Sequence, residues 1–212
     1  MAEACFSAAG PKATFPDVRN PIRVKNLRMR FLPLYAAGLV LLFWVRPTLF
    51  EYLAGLVAVL LGAAVRTWGA GHLVKTTSLT ISGPYARMRH PLYVGTLLCG
   101  SGIAVMLGGA WALGVLAVFL PWFFLVYFPR KERLESERLE ALYGEAFARY
   151  RSEVPALRPR LAAWRPSAQG TGVGDPSCRW SLERYSENNE FGTLLALLAC
   201  LVVFGIRALG WT

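Results

Sequence analysis

The run SGPYARMRHPLYVG, Ser82 to Gly95, sets Tyr85, Arg87, Arg89 and His90 immediately before a strongly apolar stretch that starts at Leu92, with Tyr93 next along. Carrying a charged side chain to the centre of a bilayer costs about 2.5–3.5 kcal/mol. Such a cluster is therefore expected at an interface or against a protein-lined cavity. Tyr85 and Tyr93 could stack on a base, and Gly83-Pro84 and His90-Pro91 impose turns that expose backbone groups to a ligand. A second polar stretch, Arg130 to Tyr150, supplies glutamates able to accept hydrogen bonds from ribose or amino groups. These types fit a cationic, nucleotide-like ligand better than hydrolysis. The chain has no G-x-S-x-G elbow, H-E-x-x-H helix or Walker loop, and His72 and His90 are its only histidines.

Positioning falls to apolar elements. Of 212 residues, 55% are hydrophobic, the net charge is +10, and mean hydropathy is +0.39. The apolar residues are bunched into runs of bilayer length, about 17–25 residues. Five spans are expected: Phe31 to Val45, Leu49 to Ala70, Leu92 to Gly108, Ala110 to Phe128, and Phe191 to Leu209. Gly108-Gly109 predicts a tight turn between the third and fourth. After the fourth, PRKERLESERLEALYG reads as an amphipathic helix with Leu134, Leu139 and Leu142 as packing and Gly144 as a left-handed stop. A short helix, Glu145 to Ser152, follows it. Pro166 to Ser177 reads as a flexible linker. The fold class is all-α: a polytopic integral membrane protein with about five transmembrane helices and a cytoplasmic amphipathic helical segment. Its organisation is a tail (1–30), a membrane domain (31–162), a linker (163–190) and a C-terminal transmembrane helix (191–212).

Basic residues set the expected orientation. Arg19 to Arg30 precede the first span, Lys75, Arg87 and Arg89 follow the second, and eleven more lie from Arg130 to Arg184. The opposite side holds only Arg46 and Arg207. The amino terminus and both long polar segments are thus placed in the cytoplasm, in a plasma (inner) membrane protein. This distribution argues for membrane lipids and against nucleic acid as partner. Met1 to Gly10 has no basic n-region, so no secretory signal is expected, and the scattered Cys5, Cys99, Cys178 and Cys200 support neither disulfides nor a metal site. Arg66, inside the second span, reads either as a snorkelling side chain or as an inward cation at a buried site. His72 reads as an interfacial residue or a substrate contact, Arg87 as a lipid-headgroup contact or a catalytic group. Glu137 and Glu140 read as a solvated face.

The motif GPYARMRHPLYVG, followed by a hairpin and a charged helix carrying Glu135, Gly144, Tyr150 and Val154-Pro155, resembles the isoprenylcysteine carboxyl methyltransferase family. That family shares its core with membrane phospholipid methyltransferases, and the resemblance covers about Leu56 to Leu161. It implies an S-adenosylmethionine pocket facing the cytoplasm and a lipophilic or lipid-modified acceptor arriving from the bilayer. Carried over by motif, the cofactor-site residues are Tyr85, His90, Pro91, Tyr93, Gly95 and Glu135, and the catalytic candidates are Arg89, His90 and Glu135. Arg66 and His72 are candidate substrate contacts. Many members carry paired glutamates where this chain has Glu135-Ser136, so the second carboxylate is missing or shifted to Glu137.

Methyl transfer from a sulfonium is an in-line displacement, so positioning and desolvation should dominate. Arg89 or Arg66 is expected to orient an anionic, isoprenylcysteine-like carboxylate. An amine acceptor, as in lipid N-methylation, would need a proton removed, with His90 the nearest base. The alternatives are an NADPH-dependent membrane reductase, whose motif usually carries a glutamate where Thr96 follows Gly95, and a non-catalytic scaffold.

Overall fold

The structure is a computed structural model that describes residues 44–74, 78–166, 173–188 and 190–210. The described residues form helices, and the only strand-like pairing among them is a parallel bridge between Leu79 and Val173. Helix α1 (Leu49–His72) opens on a capping box: the Thr48 hydroxyl accepts from the Glu51 amide at 3.3 Å, and the Glu51 carboxylate accepts from the Thr48 amide at 2.8 Å. A 3₁₀ turn (Gly83–Ala86) leads to α2 (Pro91–Met106), with Pro91 at its first position, where a missing N–H costs nothing. Helix α3 (Gly109–Trp122) runs through a π-turn (Phe123–Tyr127) into α4 (Phe128–Tyr143). Then come α5 (Glu145–Glu153), α6 (Leu182–Glu187) and α7 (Glu190–Ala208).

Among the described residues, three helices are long and apolar enough to cross a membrane: Leu49–His72, the continuous Gly109–Tyr143, and Glu190–Ala208. That fits a membrane protein. The expectation of five spans is met only in part. The first, Phe31 to Val45, lies almost wholly outside the described residues. The third, α2, has 16 residues, about 24 Å at 1.5 Å per residue, and falls below the length a lone span needs. It is paired closely with α1. A Cβ on Gly95 would stand 2.7 Å from the Gly62 carbonyl, and one on Gly102 2.6 Å from the Gly55 carbonyl. Small residues at both places let the two backbones touch.

The helix that carries the fourth span does not end at Phe128. Gly109–Tyr143 is one 35-residue helix, about 52 Å long, so its polar second half extends well beyond any bilayer. Pro121 lies within α3 and Pro129 in the first turn of α4. Neither can donate a backbone hydrogen bond, and the π-turn between them absorbs the altered register.

The turn before α3 has φ of 72° at Gly108 and 45° at Gly109. Glu51 closes it, accepting from the Gly109 amide at 2.8 Å. Helix α7 runs antiparallel to α1: Asn188 donates to the Ala70 carbonyl at 2.8 Å at one end, and Arg207 Nε donates to the Val45 carbonyl at 3.2 Å at the other. The Gly108 turn and Arg207 thus share one end of the molecule, and the motif and α4 share the opposite end.

Candidate functional site

The motif is held from behind by the chain after α5. The Arg89 amide donates to the Pro155 carbonyl at 2.9 Å and the His90 amide to Ala156 at 3.0 Å. Arg160 and Trp164 donate their amides back to the carbonyls of Arg87 (3.0 Å) and Ala86 (2.7 Å). Arg89 Nε reaches the Val154 carbonyl at 3.0 Å, and the Tyr150 hydroxyl donates to the Tyr85 carbonyl at 2.8 Å. This gives Val154-Pro155 and Tyr150 a physical reason to accompany the distant motif. Leu79, Ile81, Phe147, Tyr150, Val154 and Trp164 form the core beneath it. Burial raises the phenols of Tyr85 and Tyr150 well above their usual range, so both stay neutral, and Tyr150 keeps the proton it donates to the Tyr85 carbonyl.

Helix α4 brings two carboxylates to this platform from positions three apart, which lie on one helical face. Glu132 Oε1 accepts from Arg89 Nη2 at 2.7 Å. Glu135 receives the Tyr93 hydroxyl on Oε1, and His90 Nδ1 lies 3.4 Å from its Oε2. An Nδ1–H tautomer pointing at Glu135 leaves Nε2 as the acceptor nitrogen. Phe128 meets the His90 ring edge-on at 5.5 Å, and Tyr127 meets Tyr93 at 5.9 Å, which fixes both rings. Buried and without partners remain Arg89 Nη1 and His90 Nε2.

Between these elements lies a cavity of about 390 Å³. Tyr85, Arg89, His90, Pro91 and Tyr93 line one side, and Glu135, Arg138, Leu139, Leu142 and Tyr143 of α4 another. Leu73 and Val74 after α1, with Ser78 to Thr80, close it. A concave, mostly apolar site with a few convergent polar groups suits a small molecule.

The structure thus gathers Tyr85, Arg89, His90, Pro91, Tyr93 and Glu135 at one cavity. Three other expected residues lie elsewhere. Gly95 sits at the α1–α2 crossing, where its missing Cβ makes room for Arg66. Arg66 pairs with Glu190 of α7 at 2.7 Å. His72 is buried at the end of α1, Nδ1 3.0 Å from the Trp68 carbonyl and its ring against Gly83. Arg87 donates to the Leu161 carbonyl. Ser136 is buried with Oγ unpartnered, and Glu137 pairs outward with Arg133 at 2.8 Å. The second carboxylate brought to the platform is Glu132, which holds Arg89 and does not line the cavity, and which the sequence alone does not single out. Leu139 and Leu142 line the cavity, whereas Leu134, expected to pack, is 55% exposed. Gly144 has the expected positive φ, 50°, with a ψ of −126° that departs from the left-handed helical value.

Residues 34–146 match the family described as phospholipid methyltransferase. Among curated proteins, the chain is 37% identical over 130 residues to the cobalt-zinc-cadmium resistance protein CzcN of Cupriavidus metallidurans, covering 60% of this chain and 57% of that one. It is 34% identical over 113 residues to the nickel-cobalt-cadmium resistance protein NccN of Alcaligenes xylosoxydans xylosoxydans, covering 52% and 51%. The similarity thus spans little more than half of either relative. No solved structure matches.

Proposed function

The chain belongs to the phospholipid methyltransferase family, and from that premise we propose that it is an S-adenosylmethionine-dependent methyltransferase acting on a lipophilic acceptor at the cytoplasmic membrane face. The observation that carries the reading is the convergence of both motif halves on one cavity, with Glu135 bound by Tyr93 and facing His90. The residues fit the cofactor. Glu135 is an acceptor for an ammonium or hydroxyl, and the orphaned Arg89 Nη1 and His90 Nε2 are buried polar atoms of the kind a ligand satisfies. Tyr85 and Tyr150 offer aromatic surface. A volume of about 390 Å³ lies within the roughly 300–1,000 Å³ of small-molecule sites.

When bound, S-adenosylmethionine supplies an electrophilic methyl group on a sulfonium. The chain's own work is then to hold, orient and desolvate. Glu135 and Tyr93 would hold the cofactor's polar end, while Arg89 is held rigid by Glu132 and Val154, and Tyr127 and Phe128 pack against the Tyr93 and His90 rings.

The names of the two relatives speak of metal resistance and of no methyl acceptor, so the acceptor is argued from this chain. The first reading is a carboxylate, O-methylated as in an isoprenylcysteine, oriented by Arg89. A lipid amine is the second reading, favoured because Arg89 and Arg66 already carry carboxylate partners, Glu132 and Glu190. In that case His90 Nε2 is the available base. Calorimetry in detergent tests the cofactor: S-adenosylmethionine binding is expected, and binding of NADPH in its place overturns the reading. Incubation with labelled donor and a membrane lipid extract then sorts the acceptor. A methyl ester loses its label as methanol in base, and an N-methyl group keeps it.

A further inference from the structure

Glu190 opens α7, well beyond residue 146, where the family match ends. Its carboxylate takes Arg66 in a two-pronged grip, Nη2 to Oε1 at 2.7 Å and Nε to Oε2 at 3.0 Å. The remaining guanidinium nitrogen, Nη1, donates to Thr96 Oγ1 at 2.6 Å and to the Leu92 carbonyl at 3.3 Å. Thr96 Oγ1 donates onward to the same carbonyl at 2.9 Å. Arg66 is thereby bolted across three helices, and the pair is largely buried, at 17% and 9% side-chain exposure. Leu92 belongs to the first turn of α2, the turn that presents Pro91 and Tyr93, with His90 as its cap.

We propose that Glu190 is a positioning residue for the cavity: by holding Arg66 it fixes the first turn of α2, and with it His90 and Tyr93. The proposal rests on the reading of the cavity as the methyl-donor site. A guanidinium among apolar helices that loses its counter-charge is drawn toward water along its flexible stem. Arg66 would then release Leu92 and Thr96, and the Gly62–Gly95 contact that its side chain packs against would loosen. The same C-terminal segment steadies the opposite wall. Trp180 Nε1 donates to the Thr67 carbonyl at 2.9 Å, Arg184 Nε to Gly71 at 3.0 Å, and Asn188 Nδ2 to Leu73 at 3.1 Å. These bonds hold the end of α1, from which Leu73 and Val74 enter the cavity.

The test is a double-mutant cycle on the full chain in detergent, with Glu190→Gln, Arg66→Gln, the double variant and Glu190→Asp. Three quantities are read: S-adenosylmethionine affinity by calorimetry, KM for the acceptor isolated from the labelled lipid-extract incubation, and the rate at which N-ethylmaleimide modifies Cys99, located by mass spectrometry. Cys99 Sγ is packed into the Gly62–Gly95 crossing, so its protection reports that contact without any donor. Each Gln variant is expected to weaken donor binding about tenfold, with the double variant no weaker than Arg66→Gln, because neighbours acting as one unit are non-additive. Acceptor KM stays unchanged, Cys99 reacts faster in both, and Glu190→Asp, which keeps the charge, recovers most of the affinity. Additive losses, a fall in melting temperature with donor affinity intact, or a rise in acceptor KM confined to Arg66→Gln overturn the proposal. A wild-type chain that binds no donor defeats the methyltransferase reading instead. Cys99 protection then decides whether the pair holds the crossing, and unchanged reactivity in Glu190→Gln sinks that too.

Discussion

Glu135 answers to two partners of different kinds, a neutral phenol and an imidazole. Glu135→Gln keeps the shape and loses the charge. Hydrogen bonds to a charged group contribute about 1.5–3 kcal/mol, so donor affinity should fall roughly tenfold or more, and His90→Ala should do the same by releasing the carboxylate. Glu140→Gln, whose side chain faces Arg151 at 3.9 Å on the exposed surface, should bind within about twofold of wild type, since exposed pairs contribute at most about 1 kcal/mol. Equal donor binding by all three in calorimetry would displace the site from Glu135. Glu132→Gln tests a different bond. It strips Arg89, whose side chain is only 11% exposed, of its counter-charge. Breaking a buried pair from one side costs about 3–5 kcal/mol, less here because Glu132 is partly solvated. A melting temperature lower by several degrees is expected, and an unchanged one would show the pair to be idle. In the sequence, His90 and Tyr93 stand out as polar groups beside an apolar run, and Glu135 only through the motif that carries the family resemblance. Glu132 has no such motif, and in RKERLESERLE its charge looks solvated until Arg89 is placed against it, one turn before Glu135 on the same face.

Helices were legible where hydropathy alone decides them, as in α1 and α7, whose bounds fall within a few residues of those expected. The continuation of the helix past Phe128 was not. The residues after Phe128 read as a separate charged helix, yet the π-turn carries Gly109–Tyr143 through as one. Close helix approach was equally invisible, because Gly95 lies in a cofactor motif and gives no sign of also being a crossing point. That double identity is testable. Gly95→Ala puts a methyl 2.7 Å from the Gly62 carbonyl, which is backbone and cannot step aside. Overpacking of this kind costs about 1–3 kcal/mol, and for a chain of this size each kcal/mol is worth roughly 2–4 °C. Thermal unfolding in detergent should therefore show a drop of several degrees. Should the melting temperature hold while donor affinity falls, Gly95 serves the cavity directly and the crossing tolerates the methyl.

At the scale of the molecule, the ends of the helices sort into two sets. Glu51, the Gly108-Gly109 turn and Arg207 share one end; His72, the motif, the polar half of α4 and Asn188 share the other. The second end holds the arginines from Arg87 to Arg184 and the first only Arg46 and Arg207, so the charge bias and the helix packing divide the chain at the same places. Basic loops are retained in the cytoplasm, so the proposed function expects the cavity on that side, where a soluble donor is present. Single cysteines at Ala110 and at Arg133, in a chain whose native cysteines are replaced by serine, read this directly. Ala110 follows the Gly108-Gly109 turn and is exposed, and the Arg133 side chain is 81% exposed on α4. An impermeant maleimide added to right-side-out vesicles should label Ala110→Cys and spare Arg133→Cys, and inverted vesicles should reverse the pattern. Labelling of both from one side would mean that Gly109–Tyr143 does not cross the bilayer, and the cavity would then lose its membrane-side approach for a lipophilic acceptor. The opposite polarity would leave the helix spanning but put the cavity on the outer face, away from any cytoplasmic methyl donor.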